Sequence, residues 1–268
     1  MKRRARVRAL AKINLELRVI GARADGYHEI RTVLQTISLA DTLEIAFTPG
    51  ARSAVRVSSN VDIRDNLAAK AAEALGFRGV AEIELGKRIP LGSGLGGGSS
   101  DAAAVLLALP VLARKRLSLA ELNRLAVSLG SDVPFFLIGG RAIGVGRGEE
   151  VYPLPEAPAK HGLVVASRHE ISTARAYREL APHLTSKGKE NKIVSFGGGN
   201  DFERAAFRQF PRLGEYRRKL AKLGAEPAMM SGSGSAVFGL FRDAGTARRA
   251  KAFMEDAPGV REVFQVTL

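Results

Sequence analysis

The stretch "PLGSGLGGGSSD", residues 90–101, constrains this chain more than any other: five of its twelve residues are glycine. Glycine loses more backbone freedom on folding than any other residue, so a run of it needs a reason. Two reasons compete: a flexible linker, or a loop whose bare backbone has to approach a ligand. The neighbours separate them. The strand-like run "GVAEIELGKRIP" precedes the glycines, and the Ala/Leu-rich helical run "SSDAAAVLLALPVLA" follows. Ser99, Ser100 and Asp101 stand where caps and first-turn residues belong, and Pro110 is expected to end or kink the helix. Between a strand and a helix start, glycines let backbone N–H groups turn toward an anion, and the helix N-terminus adds donors and a positive dipole. An anion loop is the better reading; a structural turn is the alternative.

The kind of anion loop is narrowed by what fails to match. Gly92, Gly94 and Gly97 fit G-x-G-x-x-G, but "KRIP" separates the strand from the first glycine. The region near Leu117 is basic where a dinucleotide site wants an acidic residue. No lysine follows the glycines as a Walker A loop requires, and neither H-R-D nor D-F-G occurs.

Composition limits the partners. The net charge is +14, a field that draws nucleic acids or phosphorylated metabolites. Aromatic residues make up 6% of the chain, tryptophan is absent, and the basic clusters carry no interleaved aromatics, so a nucleic-acid partner is the poorer candidate. The absence of cysteine excludes disulfides, thiolate catalysis and cysteine-ligated zinc. No apolar run approaches the ~20 residues of a membrane span, and "MKRRARVRAL" lacks the apolar core of a secretory signal. No membrane partner and a cytoplasmic location are expected.

Along the chain, "RVRALAKINLELRV" alternates like a half-buried strand or strand pair, followed by a turn at Asp25-Gly26. "IRTVLQTISL", "DTLEIAF" and "AVRVSS" read as further strands. A helix is expected over 65–75, with Asp65 or Asn66 as N-cap and Gly76 past its end. Another is expected after Ser118, with Glu121 completing a capping box and Gly130 as C-cap. "SDVPFFLIGGRAIGVGRGEEV" reads as loop, short strand, turn and strand. Prolines cluster in "YPLPEAPAK", which sets an expected boundary between domains 1–155 and 156–268. Beyond it, strands alternate with helices. "TSKGKENKIVSFGGG" reads as a polar loop, and "AMMSGSGSAVFGLF" as strand, glycine turn and strand.

The glycine loop resembles the second motif of the GHMP kinases, the superfamily that includes galactokinase, homoserine kinase and mevalonate kinase. "AKINLELRVIGARADGYHEI" near the N-terminus and "AMMSGSGSAVFGLF" near the C-terminus match the other two motifs, in the expected order. "ADGYHE" and "GSDVPFFL" resemble a branch whose small-molecule substrate carries a cytidine diphosphate moiety and whose reaction serves non-mevalonate isoprenoid synthesis. The resemblance spans about Ala11 to Leu240. It implies an α+β, two-domain GHMP kinase fold: an N-terminal domain like ribosomal protein S5 domain 2 and a ferredoxin-like C-terminal domain.

The resemblance also implies roles. Lys12 and Asp132 become the catalytic residues, Asp132 as base toward a substrate hydroxyl. Pro90, Leu91, Gly92, Ser93, Gly94, Leu95, Gly96, Gly97, Gly98, Ser99 and Ser100 would bind ATP, with Asn66 on the adenine side. Asn14, Tyr27, His28, Thr173, Gly232, Ser233 and Gly234 would face the substrate, with the Tyr27 ring stacked on cytosine and His28 hydrogen-bonding it. Mg2+ would bridge the phosphates with few protein ligands, Ser100 foremost. A monomer or weak homodimer is expected. Taken alone, these residues leave plainer roles open. An aspartate after a helix is commonly a turn or cap, and a lysine in an alternating strand is commonly at the surface. Asn14 reads equally as an edge-strand polar residue, and Gly232–Gly234 as a hairpin turn. Two other functions stand beside this one: a GHMP kinase for homoserine, mevalonate or a sugar, and a basic RNA-binding protein.

Overall fold

The computed structural model describes residues 1–156, 158, 160–169, 171, 172, 175–179 and 198–268. The chain divides into two compact units. Unit 1 comprises Met1–Ala11, Leu39–Leu91 and Gly96–Gly139; unit 2 comprises Lys12–Ser38, Gly92–Leu95 and Gly140–Leu268. Two long strands contribute to both: β1 (Arg3–Ala22) and β2 (His28–Pro49). β1 is a single strand, and the two runs expected separately around Asp41 are one strand, because no glycine or proline interrupts them.

In unit 1, β3 (Ala54–Ser59) runs parallel to β4 (Gly79–Gly86), from Ala54 opposite Val80 to Ser59 opposite Leu85. β4 pairs antiparallel with the second half of β2, from Thr42 opposite Gly86 to Pro49 opposite Gly79. The inward residues of these strands, among them Leu43, Ile45, Phe47, Ile83 and Leu85, form one core with the alanines of α1 (Leu67–Ala74) and α2 (Gly97–Ala113). Alanine on both helices lets them pack closely without side-chain entropy loss. As expected, Asn66 caps α1, its Oδ1 accepting from the Ala68 N–H at 2.9 Å. The capping box of α3 (Leu119–Leu129) also forms as read, with Ser118, Glu121 and Gly130 in the expected places.

Two local readings change. Helix α2 begins at Gly97, not after the serines. Its N-cap is Gly96 in a left-handed conformation (φ 72°), with no side-chain cap, so Ser99, Ser100 and Asp101 lie inside its first turns. The helix runs through Pro110 to Ala113. The run "VPFFLI", expected to be extended, is a helix, α4 (Val133–Ile138). Six apolar residues have no decisive period, and Pro134 in the first turn is compatible with a helix start.

In unit 2, β7 (His161–Ser167), β9 (Ala228–Met230), β10 (Val237–Phe241) and β11 (Val260–Thr267) form an antiparallel sheet in the order β11-β7-β10-β9. Helices α5 (Glu203–Gln209) and α6 (Pro211–Lys222) lie between β7 and β9 in sequence, and α7 (Ala244–Glu255) between β10 and β11. That is the βαββαβ order of a ferredoxin-like domain. The central strands β7 and β10 are almost wholly buried and accordingly apolar. The first half of β2 pairs with β5 (Arg141–Val145), which pairs with β6 (Glu150–Pro153). β8 (Gly199–Asn200) runs parallel to β1. No helix among the described residues is long and apolar enough to cross a membrane.

Candidate active site

Unit 2 brings three sequence-distant motifs into contact. The β9–β10 hairpin pairs Met230 with Val237, leaving residues 231–236 as its turn. The Ser231 hydroxyl donates to the Gly94 carbonyl at 3.0 Å, and the Ala236 N–H donates to the Ser93 carbonyl at 3.0 Å. From β1, the Lys12 N–H donates to the Leu95 carbonyl at 2.9 Å. The second-motif turn is therefore held by the first motif through Lys12 and by the third through Ser231 and Ala236.

Gly94 shows why a glycine is needed there. Its φ is +78°, and a Cβ would lie 2.2 Å from the Ser231 carbonyl oxygen and 3.1 Å from that of Gly234. A backbone oxygen at 2.2 Å cannot be avoided by rotating a side chain. Gly94→Ala is expected to push the two turns apart and to lower kcat/KM by about 10²-fold, as misplacements of an ångström do. Steady-state kinetics on the purified variant checks this; turnover at the wild-type rate would show that the close approach does not matter.

The polar side chains beside these turns are buried. Lys12 is 3% exposed and Asn14 2%, so neither is the surface or edge residue that strand alternation allows. The Lys12 Nζ donates to Asn14 Oδ1 at 2.8 Å, and Asn14 Nδ2 donates to Thr32 Oγ1 at 2.7 Å. The Thr32 hydroxyl donates onward to the Glu16 carbonyl at 2.6 Å. This chain fixes which way the Asn14 amide faces and holds the ammonium in place. A Cβ on Gly232 would stand 3.1 Å from the Gly94 oxygen and 3.5 Å from Lys12 Nζ, so Gly232 closes on the same spot.

A second cluster of unit 2 surrounds the Asp25-Gly26 turn. The Tyr27 ring is half exposed, with the Arg147 guanidinium 4.7 Å from its centroid. Arg147 is itself held by Glu149, its Nε donating to Oε1 at 3.1 Å. The Tyr27 N–H donates to Asp25 Oδ1 at 3.1 Å. That bond, aided by Arg23, holds the Asp25 carboxyl below the ordinary carboxylate range. His28 stacks on the Tyr177 ring at 4.8 Å, and Tyr177 meets Phe202 edge-on at 4.8 Å. The sequence reading named Tyr27 and His28 but missed Thr32, Arg147, Tyr177 and Ser231. The only local signal for Arg147 was its place in a glycine-rich turn. Thr173 lies outside the described residues.

Unit 1 holds Pro90, Leu91, Gly96–Ser100, Asn66 and Asp132. The uncapped start of α2 presents its first N–H groups where a phosphate would be favoured. The Ser100 N–H closes the first turn on the Gly96 carbonyl at 2.9 Å. Asp132 follows Gly130 and precedes α4, without capping that helix. Behind the loop, the buried Lys87 ammonium binds the carboxylates of Asp41 and Asp101, the latter at 2.7 Å. Asp41 also accepts the N–H groups of Arg88 and Ile89. Among the described residues no group of three or more His, Asp or Glu could hold a metal ion.

Sequence and structure comparisons identify the family. The family profile "GHMP kinases N terminal domain" matches residues 66–140, and "GHMP kinases C terminal" matches residues 190–260. The chain belongs to the GHMP kinases, small-molecule phosphotransferases with an α+β fold. It is 52% identical to 4-diphosphocytidyl-2-C-methyl-D-erythritol kinase of Solibacter usitatus, over 92% of this chain and 84% of the relative. With the enzyme of the same name from Gloeobacter violaceus it shares 39% identity, over 95% and 91%. A crystal structure of 4-(cytidine 5'-diphospho)-2C-methyl-D-erythritol kinase superposes with a TM-score of 0.82 at 38% identity, covering 98% of each chain. Within the GHMP kinases, the chain is a member of the 4-diphosphocytidyl-2-C-methyl-D-erythritol kinase family.

Proposed function

We propose that this chain transfers the γ-phosphoryl group of ATP to the 2-hydroxyl of 4-diphosphocytidyl-2-C-methyl-D-erythritol, a step of the methylerythritol phosphate route to isoprenoids. One observation carries the reading: the buried Lys12–Asn14 pair, the Gly92–Leu95 turn and the Ser231–Gly234 turn converge in unit 2. Residues from Pro90 to Ser100 wrap the triphosphate, their N–H groups and the start of α2 taking its charge, with Asn66 on the adenine side. Asp132 accepts the proton of the 2-hydroxyl as the oxygen attacks in line, and Lys12 offsets charge on the transferred group. Asn14 orients the substrate hydroxyl, and Gly232, Ser233 and Gly234 close over it.

The Ser100 hydroxyl would hold magnesium, which would supply charge neutralisation at the phosphates. The Tyr27 ring, one face already covered by Arg147, offers stacking to cytosine, and His28 supplies hydrogen bonds. Thr173 is kept as a substrate contact. The boundary between domains 1–155 and 156–268 is supported by the strands of the four-stranded sheet, all of which follow it, and by the two profile matches, which fall on either side. The enzyme works in the cytoplasm as a monomer or weak homodimer.

The test is ADP release with purified protein. Release is expected with diphosphocytidyl-methylerythritol and absent with mevalonate, homoserine or galactose. A salt-steep RNA gel shift without substrate-dependent ADP release would favour an RNA-binding role instead. Tyr27→Ala is expected to raise KM for the cytidine substrate by about 10-fold, the worth of one base stack, with KM for ATP unchanged. An unaltered KM would remove Tyr27 from the base site.

A further inference from the structure

The segment "NDFE", Asn200 to Glu203, carries none of the roles above, yet its side chains are committed to three different parts of unit 2. Asn200 is buried at 6% exposure. Its Nδ2 donates to two carbonyls, Met230 at 2.8 Å and Gly232 at 2.7 Å, and its Oδ1 accepts from the Phe202 N–H at 3.0 Å. Those two carbonyls flank Ser231, whose hydroxyl holds Gly94. Glu203 Oε1 accepts from the Met230 N–H at 2.8 Å, so the start of the third-motif turn is gripped from both of its backbone polar groups.

The other two residues point elsewhere. Asp201 accepts from Arg18 Nη1 and from the Val19 N–H, each at 2.9 Å, and its own N–H donates to the Leu17 carbonyl at 3.0 Å. These bonds tie the segment to β1, the strand that carries Lys12 and Asn14. The Phe202 ring supports Tyr177, and Tyr177 supports His28.

We propose that Asn200–Glu203 is a two-armed positioning segment: Asn200 and Glu203 set the Ser231–Gly234 turn against the phosphate loop, Phe202 sets the Tyr177–His28 pair at the base, and Asp201 fixes both arms to β1. The inference rests on the function proposed above. It follows from hydrogen-bond geometry: one primary amide has two donors, and spending both on carbonyls two residues apart defines the turn between them.

The arms are separable by experiment. Asn200→Ala, the isosteric Asn200→Asp and Phe202→Leu are compared with wild type in the full chain, by steady-state kinetics and by calorimetric titration with ATP and with CDP. The Asn200 variants are expected to weaken ATP about tenfold in KM and Kd, the worth of one buried polar contact, with CDP affinity unchanged. Phe202→Leu is expected to do the reverse. Asn200→Asp keeps the shape and the Oδ1 acceptor but sets a carboxylate oxygen against the Met230 and Gly232 carbonyls, so Asn200→Ser, which buries no charge, serves where neither variant folds. A merely structural role would lower kcat and binding stoichiometry while leaving both KM and both Kd at wild-type values. That pattern, or equal weakening of both nucleotides by every variant, overturns the proposal. Wild type that binds both nucleotides but does not phosphorylate the methylerythritol substrate would remove the proposed function and leave the affinity ratios to decide the segment. Wild type that binds neither overturns both.

Discussion

Asp132→Asn is expected to lower kcat by about 10²–10⁴-fold, the contribution of a positioned general base, while ATP binding persists. The substitution is isosteric. The side chain does not cap α4, whose start is instead set by the Val133 N–H donating to the Gly130 carbonyl at 3.1 Å and by Pro134 in the first turn. An asparagine can still orient a hydroxyl, but it cannot accept the proton, so the loss should fall on kcat rather than on KM. Single-turnover measurement of ADP formation, beside ATP titration, checks both halves. Normal turnover would reject Asp132 as the base.

The second large effect is expected on stability. Lys87→Met should cost about 3–5 kcal/mol, because it leaves Asp41 and Asp101 buried without their shared cation. For a protein of this size the melting temperature would fall by about 6–20 °C. Lys87 and both carboxylates are almost completely shielded from water, and Asp101 Oδ1 finds no partner among the described residues. Burial first, and then the neighbouring Asp41, push the Asp101 carboxyl up to about 7, against the pull of Lys87. The folded protein therefore holds a proton here that the unfolded chain releases near pH 4. This group's contribution to stability is full below that pH and is lost as pH rises through about 7.

Asp101→Asn should remove that slope and cost less than Lys87→Met, since a neutral amide resembles the protonated acid. The comparison must be between variant and wild-type curves. Asp25, Glu82, Glu121 and Asp243 titrate below their ordinary values, so their slope of opposite sign falls below about pH 5, whereas burial raises Glu203 and gives a slope of the same sign as Asp101 in wild type and variant alike. Thermal melts across pH 5–8 decide the matter; parallel curves for wild type and Asp101→Asn would show that Asp101 does not hold the proton.

Much of the architecture was readable because its causes are local. Asn66, the Ser118–Glu121 box and Gly130 sit within a turn of the backbone groups they satisfy, so their identity and spacing sufficed. The hairpin at "AMMSGSGSAVF" announced itself by glycines between apolar runs. Helix α4 escaped because six apolar residues look alike in a strand and in a helix. "IRTVLQTISL" and "DTLEIAF" read as two strands but form one, and the charge of Asp41, buried within it, is met by Lys87, 46 residues away.

The burial of Lys12 and Asn14 was not readable for the same kind of reason. Alternation assumes one wet face, but from Ala11 to Asn14 both faces of β1 are covered. The cover on the polar face includes Thr32 of β2 and the third-motif turn more than two hundred residues downstream. By itself the sequence determined that a glycine loop, "PLGSGLGGGSSD", precedes a helix, that two companion motifs exist, and which residues cap α1 and α3. Those facts depend on backbone conformation over a few residues. Only the tertiary structure decided that Gly94 faces the backbone of Ser231. It alone shows that Lys12 and Asn14 are locked in a buried chain, and that Asn200 holds the turn pressing on the loop. Such contacts join residues whose separation along the chain carries no trace of their distance in space, and folding alone brings them within reach of a hydrogen bond.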